Sequence, residues 1–411
     1  MEENVIIIGG SHAGSQLALS LRQGGWTGAI KIISDEAVYP YQHPPLSKDF
    51  LSGSKQFEDL LLRPKALYQK NNIEVLLNTT VLGVDRQQQC ITAFINGTEQ
   101  IFPYTKLAFC TGARVRRLPL PGSDLAGVHY LRTYADVASI KASLPHRGHG
   151  IIIGGGYIGL ETAAMLRKMG HVITVLEAAP QLLGRVAAPE IGRFYQMLHE
   201  QHGVKIQTGV TITAISGEQA VTGVMFADGS QLTADFIVIG IGVVPNQELA
   251  QTAGLVVDDG IVVDQFARTA DPNIVAAGDC TRFEDEHYGS IRLESVPNAT
   301  EQAKVAAATL NGKPTPHHSL PWFWSDQYEC KLQIAGISRG YDEIVVRGNP
   351  TVAADKKAQF CVFYFHRGQL IAADCINQPR EFMLAKQWLQ QRHTPEKTKL
   401  SDPGYALSKE D

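Results

Sequence analysis

"IIIGGSHAGSQLALSLRQGG" runs from Ile6 to Gly25, and "IIIGGGYIGLETAAMLRKMG" runs from Ile151 to Gly170. Each opens with three isoleucines, passes a glycine cluster and a further glycine, and enters an amphipathic run. A hydrophobic strand that turns through glycines into a helix is the dinucleotide-binding design. The glycines permit a tight turn and close backbone approach, and a pyrophosphate sits at the positive end of the helix. The second copy is complete at Gly154, Gly156 and Gly159, with Tyr157 and Ile158 between the last two. The first keeps Gly9 and Gly14 but carries Ser11 in the middle, followed by His12 and Ala13. Serine is small, and its hydroxyl can face a phosphate.

Each loop leads to a strand ending on an acid about 20 residues further on, where the fingerprint needs a partner for ribose hydroxyls. These are "AIKIISDE", ending at Asp35 with Glu36 beside it, and "HVITVLEAAP", ending at Glu177. A carboxylate there accepts hydrogen bonds from a hydroxyl pair and repels a 2′-phosphate. Glu177 is followed by Ala178, Ala179 and Pro180 with no arginine at hand, so the second site is expected to prefer NADH to NADPH.

The chain of 411 residues, 44% hydrophobic and 19% charged, is long enough for several domains with their own cores. A net charge of −4 gives no reason to expect nucleic acid or a membrane surface as partner. The start "MEENVIII" lacks the basic region and cleavage site of a signal peptide. The longest apolar run, Phe236 to Val244, is far short of the roughly 20 residues of a membrane span. A cytoplasmic protein is expected. The six cysteines lie too far apart for a dithiol centre or a cysteine zinc site, so no metal is expected and all six read as buried thiols.

Three further motifs resemble the glutathione-reductase-like flavoproteins. "TADPNIVAAGDC" (Thr269 to Cys280) resembles their second FAD fingerprint through Thr269, Ala276, Gly278 and Asp279, the aspartate implied to hold the ribityl chain. "FCTGAR" resembles the A-T-G turn, with Cys110 in place of alanine before Thr111 and Gly112. "GIGVVP" resembles the G-x-G-x-x-P turn beside the nicotinamide domain through Gly240, Ile241 and Gly242. The resemblance implies FAD on the first loop, NADH on the second, and hydride transfer where the two domains meet.

"YPYQHPPLSKDFLSG", "GGGYIGLE", "LESVPNATEQAKVAA" and "PWFWSDQY" narrow this to a resemblance to the FAD-dependent ferredoxin reductases. These are reductases of the putidaredoxin reductase kind and those of Rieske-type dioxygenases. The likeness runs from Val5 to about Gln391. His43 stands where arginine is often found. The likeness implies Lys48 beside the flavin's reactive edge with Glu161 as its partner, Val296 and Pro297 against the ring system, and Trp324 near the electron exit. It also implies Val81 at the adenine end of FAD, Arg132 at its phosphate or sugar region, and Arg185 at the NADH adenosine. Disulfide-reducing relatives carry an early redox cysteine, whereas this chain has none between Met1 and Gln89. Electrons are therefore expected to leave the flavin directly.

The pattern predicts an α/β protein with two Rossmann-like dinucleotide-binding domains plus a C-terminal α+β domain with an antiparallel sheet. The expected boundaries are 1–112 with 243–318 for FAD, 113–242 for NADH, and 319–411 for the C-terminal part. "PREFMLAKQWLQQRH" reads as an amphipathic helix and the polar tail after Thr394 as loose. From Cys330 to Lys399 there are 11 Lys/Arg against six Asp/Glu, an excess suited to a transient acidic 2Fe-2S ferredoxin. A monomer or weak homodimer is expected. Two alternatives stay open: a reductase of rubredoxin, a quinone or another small acceptor, and a redox-controlled binding flavoprotein similar to apoptosis-inducing factor.

Overall fold

The computed structural model describes residues 3–352 and 357–411. Two compact units form, one from Met1–Gln42, Phe57–Arg114 and Val243–Pro321, the other from His43–Gln56, Val115–Gly242 and Trp322–Asp411. Residues 43–56, which carry Lys48, thus group with the second unit rather than with the first loop.

In the first unit the strand Asn4–Ile8 is almost wholly apolar, because both faces of a central parallel strand are covered. It lies between Ala29–Ile33 and Lys106–Phe109 in a five-stranded parallel sheet with Ile73–Leu76 and Ile274–Ala276 at its edges. The helix His12–Gln23 comes directly after the glycine turn and buries Leu17, Ala18 and Leu21. These residues share a core with Ala299, Ala303 and Ala306 of the helix Val296–Leu310. Small alanines let the two helices pack closely.

The second unit repeats the plan. His149–Ile153 lies between Val172–Glu177 and Phe236–Ile239, with Lys205–Thr208 and Val128–Tyr130 outside, all parallel. The helix Tyr157–Lys168 leaves its glycine turn as His12–Gln23 leaves the first. The same unit holds an antiparallel sheet in the order Trp322–Gln327, Cys330–Gly336, Gln369–Ile376, Phe360–His366, Glu343–Gly348. Its central hairpin turns at Arg367 and Gly368, both at positive φ as a tight hairpin turn requires. The helix Pro379–Gln391 packs on this sheet and buries Phe382 and Trp388. The fold class read from the sequence is the one observed.

The tail is a correction. It is not loose: Lys397–Ser401 is helical, and Arg347 clamps the residues around and beyond the end of that helix. The Arg347 guanidinium, 6% exposed, donates to the backbone carbonyls of Leu400, Asp402 and Tyr405 and lies 3.9 Å from the Glu381 carboxylate. The Asp411 carboxylate accepts from Lys399, Tyr405 and Ser408, which holds it well below the usual carboxylate range. Arg347 therefore holds the tail, while Lys397 pairs with Glu343. The local basic excess is not one free patch; Asp355 and Lys356 of that stretch lie outside the described residues. All six cysteines are free thiols, five buried and Cys90 half-buried. Among the described residues no helix is long and apolar enough to cross a membrane, and no three metal-ligating side chains cluster.

Arg347→Ala removes a buried charge and strands the carbonyls it serves. It should lower the unfolding free energy in urea by about 3 kcal/mol or more. A loss below about 1 kcal/mol, typical of a surface change, would contradict the clamp.

Candidate active site

Both glycine turns obey one geometric constraint. A Cβ on Gly9 would lie 2.0 Å from the carbonyl oxygen of Cys110, and one on Gly14 would lie 2.0 Å from that of Gly9. In the second copy Gly154 would meet the Gly240 oxygen at 2.4 Å and Gly159 the Gly154 oxygen at 2.1 Å. Backbone packing alone excludes any other residue at these four positions. Gly156 differs: its φ is −84°, and nothing lies within 4 Å of where a Cβ would stand. Packing does not demand glycine there, whereas close approach by a bound pyrophosphate does. Ser11 fills the matching position of the first copy, with an extended backbone.

Glu177 ends its strand, with Oε2 accepting from the Gly155 amide at 2.6 Å and Oε1 from the Ala179 amide at 2.7 Å. Two backbone donors fix the carboxylate and leave lone pairs for ribose hydroxyls. The first copy departs from the expected symmetry. Ile8 pairs with Ile33 as Ile153 pairs with Leu176, so Ser34, not Asp35, occupies the place of Glu177. The strand stops at Ile33; Asp35 is exposed, and half-buried Glu36 accepts from the Tyr41 hydroxyl at 2.7 Å. On the second loop, Gly240 packs on Gly154 and Gly159, and exposed Arg185 reaches Gly242. Ile158 is exposed, while the Tyr157 ring packs on Phe323 with its hydroxyl buried and without a hydrogen-bond partner.

The other site residues of the first unit also converge. Cys110 and Thr111 cover Gly9, and Thr111 Oγ1 donates to the Asn246 carbonyl at 2.6 Å while Asn246 Nδ2 donates to the Thr111 carbonyl at 2.8 Å. Gly112, with φ of 61°, ends that turn. Gly278 packs on Ala13 and Ala299, and its amide donates to Gln302 Oε1 at 2.8 Å. Asp279, Val296 and Pro297 are half-buried in the same unit. Ser295 caps the helix Val296–Leu310, and the Asn298 side-chain oxygen on its first turn is buried without a hydrogen-bond partner. A helix start, an unsatisfied acceptor and a glycine turn in one unit fit a flavin dinucleotide. Val81 is buried in this unit, whereas Arg132 belongs to the other, where its amide donates to Asp136.

Lys48 and Glu161 meet as the sequence implied, at 2.5 Å. Glu161 is 3% exposed, and its carboxylate also accepts from Ser47 Oγ and Ser325 Oγ, each at 2.7 Å. A buried ion pair is tolerated when its remaining lone pairs are met, and here they are. Strand alternation puts Phe323, Ser325 and Gln327 on the face toward Tyr157, Glu161 and His199. Trp322 and Trp324 take the other face, with ring centroids 5.6 Å apart and Lys386 over Trp322. Ser47, His199, Gln302, Ser325 and Gln327 were not singled out from the sequence. Their signal was a polar residue at an apolar phase: Gln327 two and four residues after Ser325 and Phe323, His199 four after Tyr195.

Two parallel-sheet units, each with its own glycine turn and helix, define an oxidoreductase that handles two dinucleotides. The chain belongs to the pyridine nucleotide-disulphide oxidoreductase family, whose pattern matches residues 3–303, with a reductase C-terminal pattern over 322–410. Putidaredoxin reductase CamA of Pseudomonas putida is 40% identical, over 98% of this chain and 96% of its own. A ferredoxin–NAD(P)(+) reductase of a Sphingomonas species is 38% identical over 98% and 96%. The crystal structure of the covalent putidaredoxin reductase–putidaredoxin complex superposes with a TM-score of 0.92 at 40% identity, covering 97% of this chain and 96% of that one. The chain is an FAD- and NADH-using oxidoreductase.

Near Tyr157 the second unit buries another acid. Asp374 is 0% exposed; its Oδ2 accepts from the Tyr364 hydroxyl and its Oδ1 has no hydrogen-bond partner. Burial pushes its carboxyl from 3.8 up to about 7, against the opposing pull of that hydrogen bond. Between these values the folded state holds a proton the unfolded chain has released, so this group lowers stability as pH rises through the window. Asp374→Asn should therefore be more stable than the parent at pH 8, by about 2–4 kcal/mol, with the gap closing toward pH 4. Chemical unfolding across pH measures it; a gap that widens at low pH would contradict the assignment.

Proposed function

We propose that the chain is an NADH:ferredoxin oxidoreductase, taking hydride from NADH and delivering electrons singly to a 2Fe-2S ferredoxin that feeds an oxygenase. The observation that carries this reading is the pair of glycine turns, differing at Ser11 and Gly156 and at Ser34 and Glu177, so that each suits its own dinucleotide. FAD, when bound, supplies the step between a two-electron donor and a one-electron acceptor.

The residues divide the remaining work. The turn Gly9 to Gly14, with Ser11, His12 and Ala13, cradles the FAD pyrophosphate at the start of His12–Gln23, and Asp35 and Glu36 serve its ribose. Cys110, Thr111, Gly112, Gly278 and Asp279 hold the ribityl and flavin end, with Val81 at the adenine. Val296 and Pro297 lie against the ring system at the start of the helix Val296–Leu310, whose dipole favours an anionic ring. Gly154, Gly156, Tyr157, Ile158 and Gly159 receive NADH, Glu177 binds its ribose, Arg185 its adenosine, and Gly240 to Gly242 line the nicotinamide side. Lys48 and Glu161 fix the polar setting of the reacting rings, Arg132 meets an FAD phosphate or sugar, and Trp324 stands at the exit. With no cysteine before Cys90, no thiol relay intervenes. The partner is an acidic ferredoxin met transiently in the cytoplasm by a monomer or weak homodimer, with encounter governed by electrostatics.

The holoenzyme should oxidise NADH far faster than NADPH and reduce a 2Fe-2S ferredoxin in preference to rubredoxin or quinone. Glu177→Ala should shrink the NADH-over-NADPH ratio of kcat/KM about tenfold or more, the effect of losing hydrogen bonds to a charged group. An NADPH preference in the parent, or an unchanged ratio in the variant, would overturn the role of Glu177. No turnover with any ferredoxin of a panel would overturn the acceptor.

A further inference from the structure

Behind Glu161 lies a line of buried polar side chains to which neither the family motifs nor the reaction assigns a role. Ser325 and His199 are 0% exposed and Gln327 is 1% exposed. Ser325 Oγ meets Glu161 Oε1 at 2.7 Å, Gln327 Nε2 meets Ser325 Oγ at 3.2 Å, and Gln327 Oε1 meets His199 Nε2 at 2.9 Å. All four residues belong to the second unit.

Donor and acceptor rules fix every link's direction. Glu161 is paired with Lys48 as a carboxylate and only accepts, so Ser325 must give it its one hydroxyl proton. The Ser325 oxygen is then an acceptor, which turns the amide nitrogen of Gln327 toward it. The Gln327 oxygen therefore faces His199, whose Nε2 must carry the hydrogen. His199 Nδ1 is left as acceptor, with the Tyr328 hydroxyl 3.5 Å away and the Tyr328 ring stacked on His202 at 3.7 Å. Burial drives the His199 imidazole down to about 4, in keeping with a neutral ring. Bonds aligned in one direction toward a charge polarise and strengthen one another.

We propose that Ser325, Gln327 and His199 are positioning residues for Glu161, a one-way hydrogen-bond chain that pins the carboxylate and, through it, the Lys48 ammonium. Oε2 is held by Lys48 and Ser47, so among the described residues Oε1 depends on Ser325 alone. The inference rests on the reading of Lys48 and Glu161 as part of the working site.

Gln327→Glu separates direction from shape. A carboxylate of the same size still accepts from His199 but cannot donate to Ser325, and it competes for the proton Ser325 gives Glu161. Ser325→Ala deletes that proton outright, and Ser325→Thr keeps it. In stopped-flow measurements on the holoenzyme, NADH-driven flavin reduction should slow about tenfold in Ser325→Ala and Gln327→Glu, the scale of one hydrogen bond to a charge. Ser325→Thr should restore it, with thermal unfolding tracking that order only weakly. In the unaltered protein, ¹⁵N NMR should show His199 neutral with its hydrogen on Nε2 at pH 7. A slow Glu161→Gln beside parent-like Ser325→Ala and Gln327→Glu would overturn the chain and leave Glu161 in its role. A parent-like Glu161→Gln would overturn both. A hydrogen on Nδ1 would overturn the direction even if a variant failed to fold.

Discussion

The structure depends on how closely two stretches of backbone approach at the head of each parallel sheet. At Gly9, Gly14, Gly154 and Gly159 a single added carbon would fall 2.0–2.4 Å from a carbonyl oxygen, inside any permitted contact. That approach aims the first turn of His12–Gln23 and of Tyr157–Lys168 at the strand ends, where a helix start carries partial positive charge. The turn at Cys110 and Thr111 closes over Gly9, and the turn at Gly240 closes over Gly154.

The second helix carries the other demanding feature, a carboxylate almost out of water. Glu161 lies one turn in from the glycines, so its position is set by the loop geometry. A charge there costs several kcal/mol unless it is fully met. Residues 43–56 and the strand Trp322–Gln327 meet it with Lys48, Ser47 and Ser325. This explains why a short segment from early in the chain and the last sheet share a unit with the second dinucleotide fold.

Legibility tracked periodicity and spacing. Both glycine turns, their strands and helices, and the C-terminal helix Pro379–Gln391 could be read because local pattern and tertiary role agree there. Lys48 with Glu161 was reachable only through resemblance, since no local rule joins residues so far apart in sequence. The strand before Asp35 ends two residues sooner than the sequence suggested, at Ile33, because pairing register and not the next acid sets a strand end. The tail was misread because polar composition suggests solvent, and the partner that orders it, Arg347, looks like any surface arginine in sequence. Ser325, Gln327 and His199 escaped for the converse reason: a buried polar side chain breaks the apolar phase by one residue, and its partner lies on another element.

Gly156 bears most directly on the claim that the second turn exists to receive a dinucleotide. The turn leaves open the place a Cβ would take, and the backbone there is ordinary, so Gly156→Val should fold, losing only about 1 kcal/mol at this helix N-cap. The decisive measurement is NADH titration of this variant under anaerobic conditions, with flavin content and melting temperature recorded on the same sample. Full flavin, a melt within a few degrees of the parent and an affinity for NADH weakened about tenfold or more is the expected result. Unimpaired NADH binding in a folded, flavin-loaded Gly156→Val would contradict it.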